Sequence, residues 1–260
     1  VKRSPSEVLV SFKNKDYRPV KKIYIDNYLD LAFVQIEPSE IPEDKEEAKL
    51  ECSNIPGIGH PVGAFGHPWY FPYTGTKGII SGITDEYKGE QLQTDASINA
   101  GNSGGPLISL ISGKVVGVNT SKFDDDKDQN TNFAEVMVYA CRVFNLILEE
   151  KSPLPPELPF VYLNDPLKKI GLVVAKSYLK PGLIDIKAGD KIIAVIGHGA
   201  IKNEGQLVHA LRGKLDNFTL KIIRDGKEQT VSGRLEPEES LLKRRGVFVS
   251  GMLVAPYSFK

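Results

Sequence analysis

Cysteine is nearly missing from this sequence, with two residues, Cys52 and Cys141, in a chain of 260. Two cysteines allow one disulfide but no disulfide framework, and neither sits at a spacing that binds zinc. Excess charge of either sign is missing too, since 33 Lys and Arg meet 33 Asp and Glu. That balance leaves no net basic field to draw nucleic acid and no acidic tail. No apolar run approaches the length of a membrane span. The opening VKRSPSEVLVSF has neither the pattern of a signal peptide nor a methionine, so it reads as a boundary rather than a natural start. What is present is ordinary globular material: 41% hydrophobic and 8% aromatic residues, enough for buried cores. The length suits about two domains.

Short β-like runs fill the first half. EVLVSF, PVKKIYI and DLAFVQIE come before residue 38, and a charged, proline-bearing connection follows. PVGAFGH, TKGIISGIT, QLQTDA, GGPLIS, KVVGVNTS and TNFAEVM then occupy residues 61–137. Many short strands broken by glycine and proline predict a sandwich or barrel, not a parallel sheet. The first helix is predicted over about 138–150, where Tyr139, Val143, Leu146 and Ile147 recur at helical spacing. KSPLPPELP, with four prolines, reads as a linker. Beyond it the pattern turns mixed. IGLVVAKSY and IKAGDKIIAVIG read as strands, EGQLVHALRG as a helix with Asn203 as its N-cap, and Asp225-Gly226 as a hairpin turn. The last stretch, RRGVFVSGMLVAPYSFK, reads as one more apolar strand without an obvious partner.

The chemistry-bearing candidate is QTDASINAGNSGGPLIS, centred on Gly101-Asn102-Ser103-Gly104-Gly105-Pro106. Glycine permits turns that other residues resist and lets a second backbone approach closely. A serine on such a turn presents its hydroxyl outward while neighbouring amides converge beside it, the layout of a nucleophile with an oxyanion hole. A plain glycine turn between strands is the competing reading, and only the flanks decide.

Those flanks resemble the HtrA/Deg family of trypsin-like serine proteases. TDASINAGNSGGPLIS with GKVVGVNTS resembles the family's nucleophile segment, and YLDLAFVQIE resembles the strand that opens with the triad aspartate. FGHPWYFPYTGTKGIISGI resembles the loop and strand ahead of the nucleophile, and TNFAEVM the segment closing the specificity pocket. IGLVVAKSYLKPGLIDIKAGDKIIAVIG with IIRDGKEQTV resembles the family's PDZ domain. The resemblance runs from about residue 8 to 235, and GVFVSGMLVAPYS is similar to the start of a further segment in some members.

It implies a mainly β fold: a trypsin-like double β-barrel followed by a mixed α/β PDZ domain. The boundaries are 1–60 for the remainder of the first barrel, 61–150 for the second barrel and its closing helix, 151–235 for the PDZ-like domain and 236–260 for a strand-like extension. It also implies roles: Ser103 as nucleophile, Asp30 as the acid that orients the base, and the N–H groups of Gly101 and Ser103 as oxyanion hole with Asn102 shaping the turn. Ile98, Asn119 and Ser121 match positions that line the S1 pocket. They carry no charge, which implies small or aliphatic P1 residues. Unfolded or damaged proteins bound as extended strands are the implied substrates, with peptide ligands for the PDZ domain and a trimer-based homo-oligomer as the assembly. Implied locations lie outside the cytosol or in organelles; no cofactor or metal is implied.

The sequence departs from the family in one respect. The family order is His, Asp, Ser, yet no histidine precedes Asp30; the four are His60, His67, His198 and His209. Each reads as a loop or surface histidine. The expectation is therefore that the base lies upstream of Val1, the first barrel is incomplete and the chain alone is incompetent. The rival reading is a non-catalytic peptide-binding pseudoprotease or chaperone-like scaffold.

Other signals keep two readings. Leu207 and Leu211 suit either a PDZ peptide groove or plain core, since spacing of four supports both. PFVYL, with Phe160 and Val161, is the candidate carboxylate-binding loop, though without the usual glycine. Trp69, Tyr70 and Phe71 read as substrate contact, oligomer packing or a loop tucked onto the barrel. Asp124, Asp126, Asp128 and Glu135 fall at the first, third, fifth and twelfth places of an EF-hand loop. Gln129 stands where that loop needs glycine and no helix precedes it, so the segment reads as a solvated acidic loop.

Overall fold

The computed structural model describes residues 8–12, 16–68, 71, 73–87, 89–122, 131–163, 171–180, 182–238, 247–249 and 252–254. Trp69, Tyr70 and the acidic stretch Asp124–Gln129 lie outside these. The chain divides into two compact units, Val1–Glu150 and Lys151–Lys260.

The first unit opens with two small antiparallel pairs. Strand β1 (Leu9–Ser11) pairs with β2 (Tyr17–Pro19), and β3 (Lys22–Asp26) with β4 (Leu31–Gln35). Six later strands close a barrel: β5 (Pro61–Gly66), β6 (Thr74–Tyr87), β7 (Gly89–Thr94), β8 (Pro106–Ser109), β9 (Val115–Lys122) and β10 (Asn132–Val136). Round the barrel the order is β10-β7-β6-β5-β8-β9, which leaves the sheet no free edge. Alternation explains its filling. Val62 and Ala64 on β5, Ile80 on β6, Leu92 on β7, Leu107 on β8 and Ala134 and Val136 on β10 all point inward and are buried in one cluster.

Helix α1 (Met137–Leu148) runs directly out of β10 and needs no side-chain N-cap. Its buried residues Tyr139, Val143 and Leu146 recur every three or four positions, so one stripe closes on the barrel. The connection ahead of β5 is fastened to the barrel in two ways. Val115 N–H donates to Lys49 at 2.8 Å and Glu51 N–H donates to Val115 at 2.9 Å. Cys52 is bonded to Cys141 of α1, with Cα atoms 5.6 Å apart.

The second unit is mixed. A sheet runs β11-β12-β13-β15-β16, from β11 (Phe160–Tyr162), β12 (Leu172–Ser177), β13 (Lys191–Val195), β15 (Phe218–Arg224) and β16 (Lys227–Gly233); β14 (Gly199–Ala200) pairs with β13. Helix α2 (Glu204–Leu211) lies between β14 and β15 in sequence, and Asn203 Oδ1 caps it by accepting Gln206 N–H at 2.9 Å. Asp225 and Gly226, with φ of 51° and 75°, join β15 to β16. Both central residues thus carry the positive φ that a type I′ hairpin needs. The Ala-Gly-Asp turn is locked by Asp190, which is buried: its Oδ2 accepts Lys187 N–H at 2.8 Å, and its two oxygens accept from Arg224 Nε at 2.8 Å and Nη2 at 2.7 Å. The terminal apolar stretch forms two short strands that pair with each other, β17 (Val247–Val249) and β18 (Met252–Val254), where the sequence suggested one unpartnered strand. PFVYL likewise holds a strand, β11, at the edge of the sheet rather than a loop throughout.

Candidate active site

The Ser103 turn is held against the end of β5 by contacts only glycine tolerates. Gly101 has φ of 105°, and a Cβ there would lie 2.3 Å from the His67 carbonyl oxygen. At Gly105 a Cβ would lie 2.1 Å from the Phe65 carbonyl oxygen. Both distances are far inside van der Waals contact, so the glycines are what lets the turn sit so close. The rest is hydrogen bonding. His67 N–H donates to Gly101 at 3.0 Å, Asn102 N–H to Asn99 at 2.9 Å, Gly104 N–H to Asn119 at 2.7 Å and Gly105 N–H to Asn102 at 2.9 Å. Among the described residues the N–H groups of Gly101 and Ser103 donate to nothing. The two amides of the sequence-derived oxyanion hole are thus the two the turn leaves unspent. The Ser103 hydroxyl donates to the Thr120 carbonyl at 2.7 Å.

Asp30 enters from the other side. Asp26 is buried and its Oδ1 accepts the N–H groups of Tyr28 and Leu29, each at 3.0 Å. Leu29 inserts into the barrel core, and Asp30 follows at φ of 52°, in the left-handed region. The side-chain cap and the apolar plug together fix where β4 begins. Asp30 and Ser103 then line one cavity of about 500 Å³. Its walls are largely apolar: Leu31 and Phe33 of β4, Leu50 of the connection, Val118 of β9, and Met137 and Phe144 of α1. Cys141 lines it too, so the disulfide forms part of the wall.

The other predicted residues divide. Asn119 lines the same cavity; it is buried, and its Nδ2 donates to the Phe65 carbonyl at 3.4 Å and the Pro106 carbonyl at 3.3 Å. Ile98 lies in the barrel core, outside that lining, with its N–H donating to Asn132 Oδ1 at 3.3 Å. Ser121 pairs through its backbone with Phe133, and its side chain lies outside the described residues. In the second unit Leu207 and Leu211 are fully buried in the core, Phe160 packs against that core, and Val161 is exposed.

No histidine lines the cavity. His60 Nε2 lies 2.8 Å from Ser109 Oγ, and the His67 ring packs edge-on against Tyr73 with centroids 4.7 Å apart. His198 and His209 belong to the second unit. His209 is buried on α2, and burial, with Arg212 and His198 adding to it, pushes its pKa well below the usual value.

Sequence reasoning placed Glu135 at the end of a solvated acidic loop, and the structure corrects this. It lies on β10 and is buried, and its carboxylate accepts a short hydrogen bond from Gln91 Nε2. Burial raises its pKa to about 7, opposed by the Gln91 bond and reinforced by the nearby charges of Asp30 and Asp26. All five residues of β10 are buried, which the run TNFAEVM does not show by itself.

Known proteins resemble this chain in sequence and in fold. The trypsin-like peptidase domain family matches residues 2–118. A probable periplasmic serine endoprotease DegP-like from Pseudomonas savastanoi pv. phaseolicola is 31% identical over 254 residues, covering 90% of this chain and 52% of its own. The serine protease Do-like HtrA of Lactococcus lactis subsp. cremoris is 30% identical over 253 residues, covering 84% of this chain and 61% of its own. The chain belongs to the HtrA/Deg family of trypsin-like serine proteases. It spans between half and two thirds of the length of these HtrA/Deg relatives. In fold it is similar to the HtrA-type protease AlgW with decapeptide, at a TM-score of 0.66 and 22% identity over 90% of this chain and 76% of that one. No described helix is long and apolar enough to cross a membrane.

Proposed function

We propose that this chain carries the nucleophile, orienting acid and oxyanion hole of an HtrA/Deg-type serine endopeptidase, and that it needs a base from outside the residues lining its cavity. The observation that carries the reading is the meeting of Asp30 and Ser103, far apart in sequence, in one cavity. In the reaction the base accepts the Ser103 proton as Oγ attacks a peptide carbonyl carbon. The negative charge then forming on the carbonyl oxygen is met by the N–H groups of Gly101 and Ser103. Asp30 accepts the second N–H of an imidazole base and holds its tautomer. The protonated base returns its proton to the leaving amine, and water clears the acyl-serine by the same route.

Substrates are extended segments of unfolded or damaged protein, and the uncharged Ile98, Asn119 and Ser121 favour small or aliphatic P1 residues over Lys or Arg. The second unit is read as a PDZ domain whose edge strand β11 pairs with peptide ends, with Phe160 and Val161 on that strand. A trimer-based homo-oligomer is the expected assembly. The disulfide and the "periplasmic" in one relative's name support an extracytoplasmic location.

The second reading is a peptide-binding scaffold without catalysis. It is favoured by the Ser103 hydroxyl donating to a carbonyl, which cannot take its proton, and by the absence of any histidine from the cavity.

Restoring the base separates the two readings. The purified chain is treated with a fluorophosphonate, with and without millimolar imidazole, and followed by intact mass and peptide mapping. Little labelling is expected without imidazole and clear labelling at Ser103 with it, lost in Ser103→Ala and reduced in Asp30→Ala. If imidazole leaves Ser103 unlabelled, the scaffold reading stands.

A further inference from the structure

Strand β9 departs from regular pairing where it passes the Ser103 turn. Ser121 pairs with Phe133 and Asn119 with Ala134, so Thr120 is the extra residue of a bulge. The Thr120 carbonyl is the one that accepts the Ser103 hydroxyl. Asn119, the residue before it, is 1% exposed and meets the turn with both backbone and side chain. Its carbonyl accepts Gly104 N–H at 2.7 Å, and its own N–H donates to the Gly105 carbonyl at 2.9 Å. Its Nδ2 donates to the Phe65 carbonyl near the end of β5, at 3.4 Å, and to the Pro106 carbonyl at the start of β8, at 3.3 Å. Those strand ends converge where the turn enters, since the Phe65 carbonyl oxygen is the atom that leaves no room for a Cβ on Gly105. The two carbonyls take both protons of Nδ2 and so fix the orientation of the amide. Its Oδ1 is buried and accepts nothing among the described residues.

We propose that Asn119 is a positioning residue for Ser103: its side-chain amide forks between the ends of β5 and β8 and so fixes the turn that carries the nucleophile. This rests on the reading of Ser103 as the nucleophile. Packing alone does not explain an asparagine here. Leucine has the same branched shape and would fill the site without burying an unpaired acceptor, which costs stability. Two hydrogen bonds longer than the usual range return little of that cost. What asparagine has and leucine lacks is a pair of donors that spans two carbonyls. Aspartate keeps the shape as well, but it sets two acceptors against those carbonyls. Without the fork the two strand ends are free to part, and the turn moves with them. The Ser103 hydroxyl and the free N–H groups of Gly101 and Ser103 then lose their common geometry, while the barrel's core cluster, which does not include Asn119, keeps its packing. In this role Asn119 acts through the turn rather than on the reacting atoms.

Hydrogen exchange followed by NMR on the whole chain reads the turn without any reaction. In the wild type both side-chain amide protons of Asn119 are expected to exchange slowly, and the Gly104 and Gly105 N–H groups to be protected. In Asn119→Leu and Asn119→Asp those two backbone amides are expected to exchange at least about tenfold faster, while Leu92 and Ala134 in the barrel keep their wild-type rates. Fluorophosphonate labelling of Ser103 with imidazole is expected to slow by about tenfold or more in Asn119→Leu, at an unchanged denaturant midpoint. An Asn119 side chain that exchanges as fast as an exposed amide in the wild type overturns the proposal, and that result does not depend on whether either variant folds. Unchanged Gly104 exchange in the variants overturns it too. So does protection lost from Leu92 and Ala134 in step with Gly104, the mark of a residue that only holds the barrel together. If wild-type Ser103 takes no label with imidazole, the protease reading falls and exchange still decides on Asn119. If the wild type and both variants are labelled equally, this proposal falls alone.

Discussion

The Ser103 hydroxyl and the Glu135 carboxyl show what burial and hydrogen bonding do to single groups. Ser103 donates its proton to a carbonyl and so waits for a base. Glu135 is carried in the folded state as a neutral acid over most of the acidic range, because burial penalises its charge. Its folded pKa of about 7 lies above the ordinary glutamate value of 4.5, so the folded state holds a proton that the unfolded state releases. Stability is therefore full below about pH 4.5, declines as pH rises, and has lost this contribution above about 7. The shift corresponds to roughly 3 kcal/mol. Denaturant midpoints for wild type and Glu135→Gln, measured between those limits, are expected to converge at low pH, with the wild type losing ground as pH rises. Parallel curves would show that the carboxyl is not buried as described. Gly101 and Gly105 belong to the same scale but were legible in the sequence, since a glycine flanking a serine announces a tight approach. Glu135 was not: following Asp124, Asp126 and Asp128 it reads as the end of a solvated acidic loop, and only the closed barrel shows that it is buried.

Among the elements, the most readable were those specified locally. Asn203 ahead of an apolar helix and Asp225-Gly226 between alternating strands each carry their own geometry, and the structure shows a capped helix and a hairpin there. Helix α1 was legible from its apolar spacing. Strand β11 was harder, because three residues show no period and edge pairing depends on where β12 lies. The pairing of the two cysteines was left open for the same reason, since spacing alone does not say what folds beside what. That bond ties the connection ahead of β5 to α1 across a sequence separation of 89. Closing a loop of that size removes unfolded-state entropy equivalent to about 4–5 kcal/mol in the chain-entropy model. Cys52→Ser with Cys141→Ser is expected to lower the unfolding free energy of the first unit by up to that amount. The connection should also become the earliest cut: trypsin, with Lys45 and Lys49 as its sites there, should cleave it faster in the variant and in reduced wild type. Unchanged cleavage in both would mean that the ladder to Val115 holds the segment without the disulfide.

Across the whole molecule, two units with separate cores carry buried titrating groups of opposite kind. Glu135 in the first loses stability as pH rises. His209 in the second has a folded pKa well below the ordinary histidine value of 6.5. Its unfolded state takes up a proton that the folded state refuses, so that contribution is present above about 6.5 and is lost as pH falls below it. Hydrogen exchange corrected for intrinsic rates is expected to show the α2 region losing protection toward acid while β10 loses it toward neutrality. A common trend in both units would contradict the separate burial of the two groups. The division into two units and the mainly β character were legible at this scale, because proline clustering and strand density are properties of composition. The meeting of Asp30 with Ser103 was supplied by family resemblance, since no local pattern joins residues so far apart.

The Cys52–Cys141 bond also has a consequence in time. A chain made from its N-terminus exposes Cys52 long before Cys141 exists, and every barrel strand lies between them. The correct partner therefore arrives only after the barrel's sequence has been completed. Until then Cys52 has no other cysteine within these 260 residues to pair with, so among them misconnection is impossible and a free thiol persists while the barrel's strands are being made. That thiol is open to cross-linking between nascent chains, a hazard that grows with the density of chains being made at once.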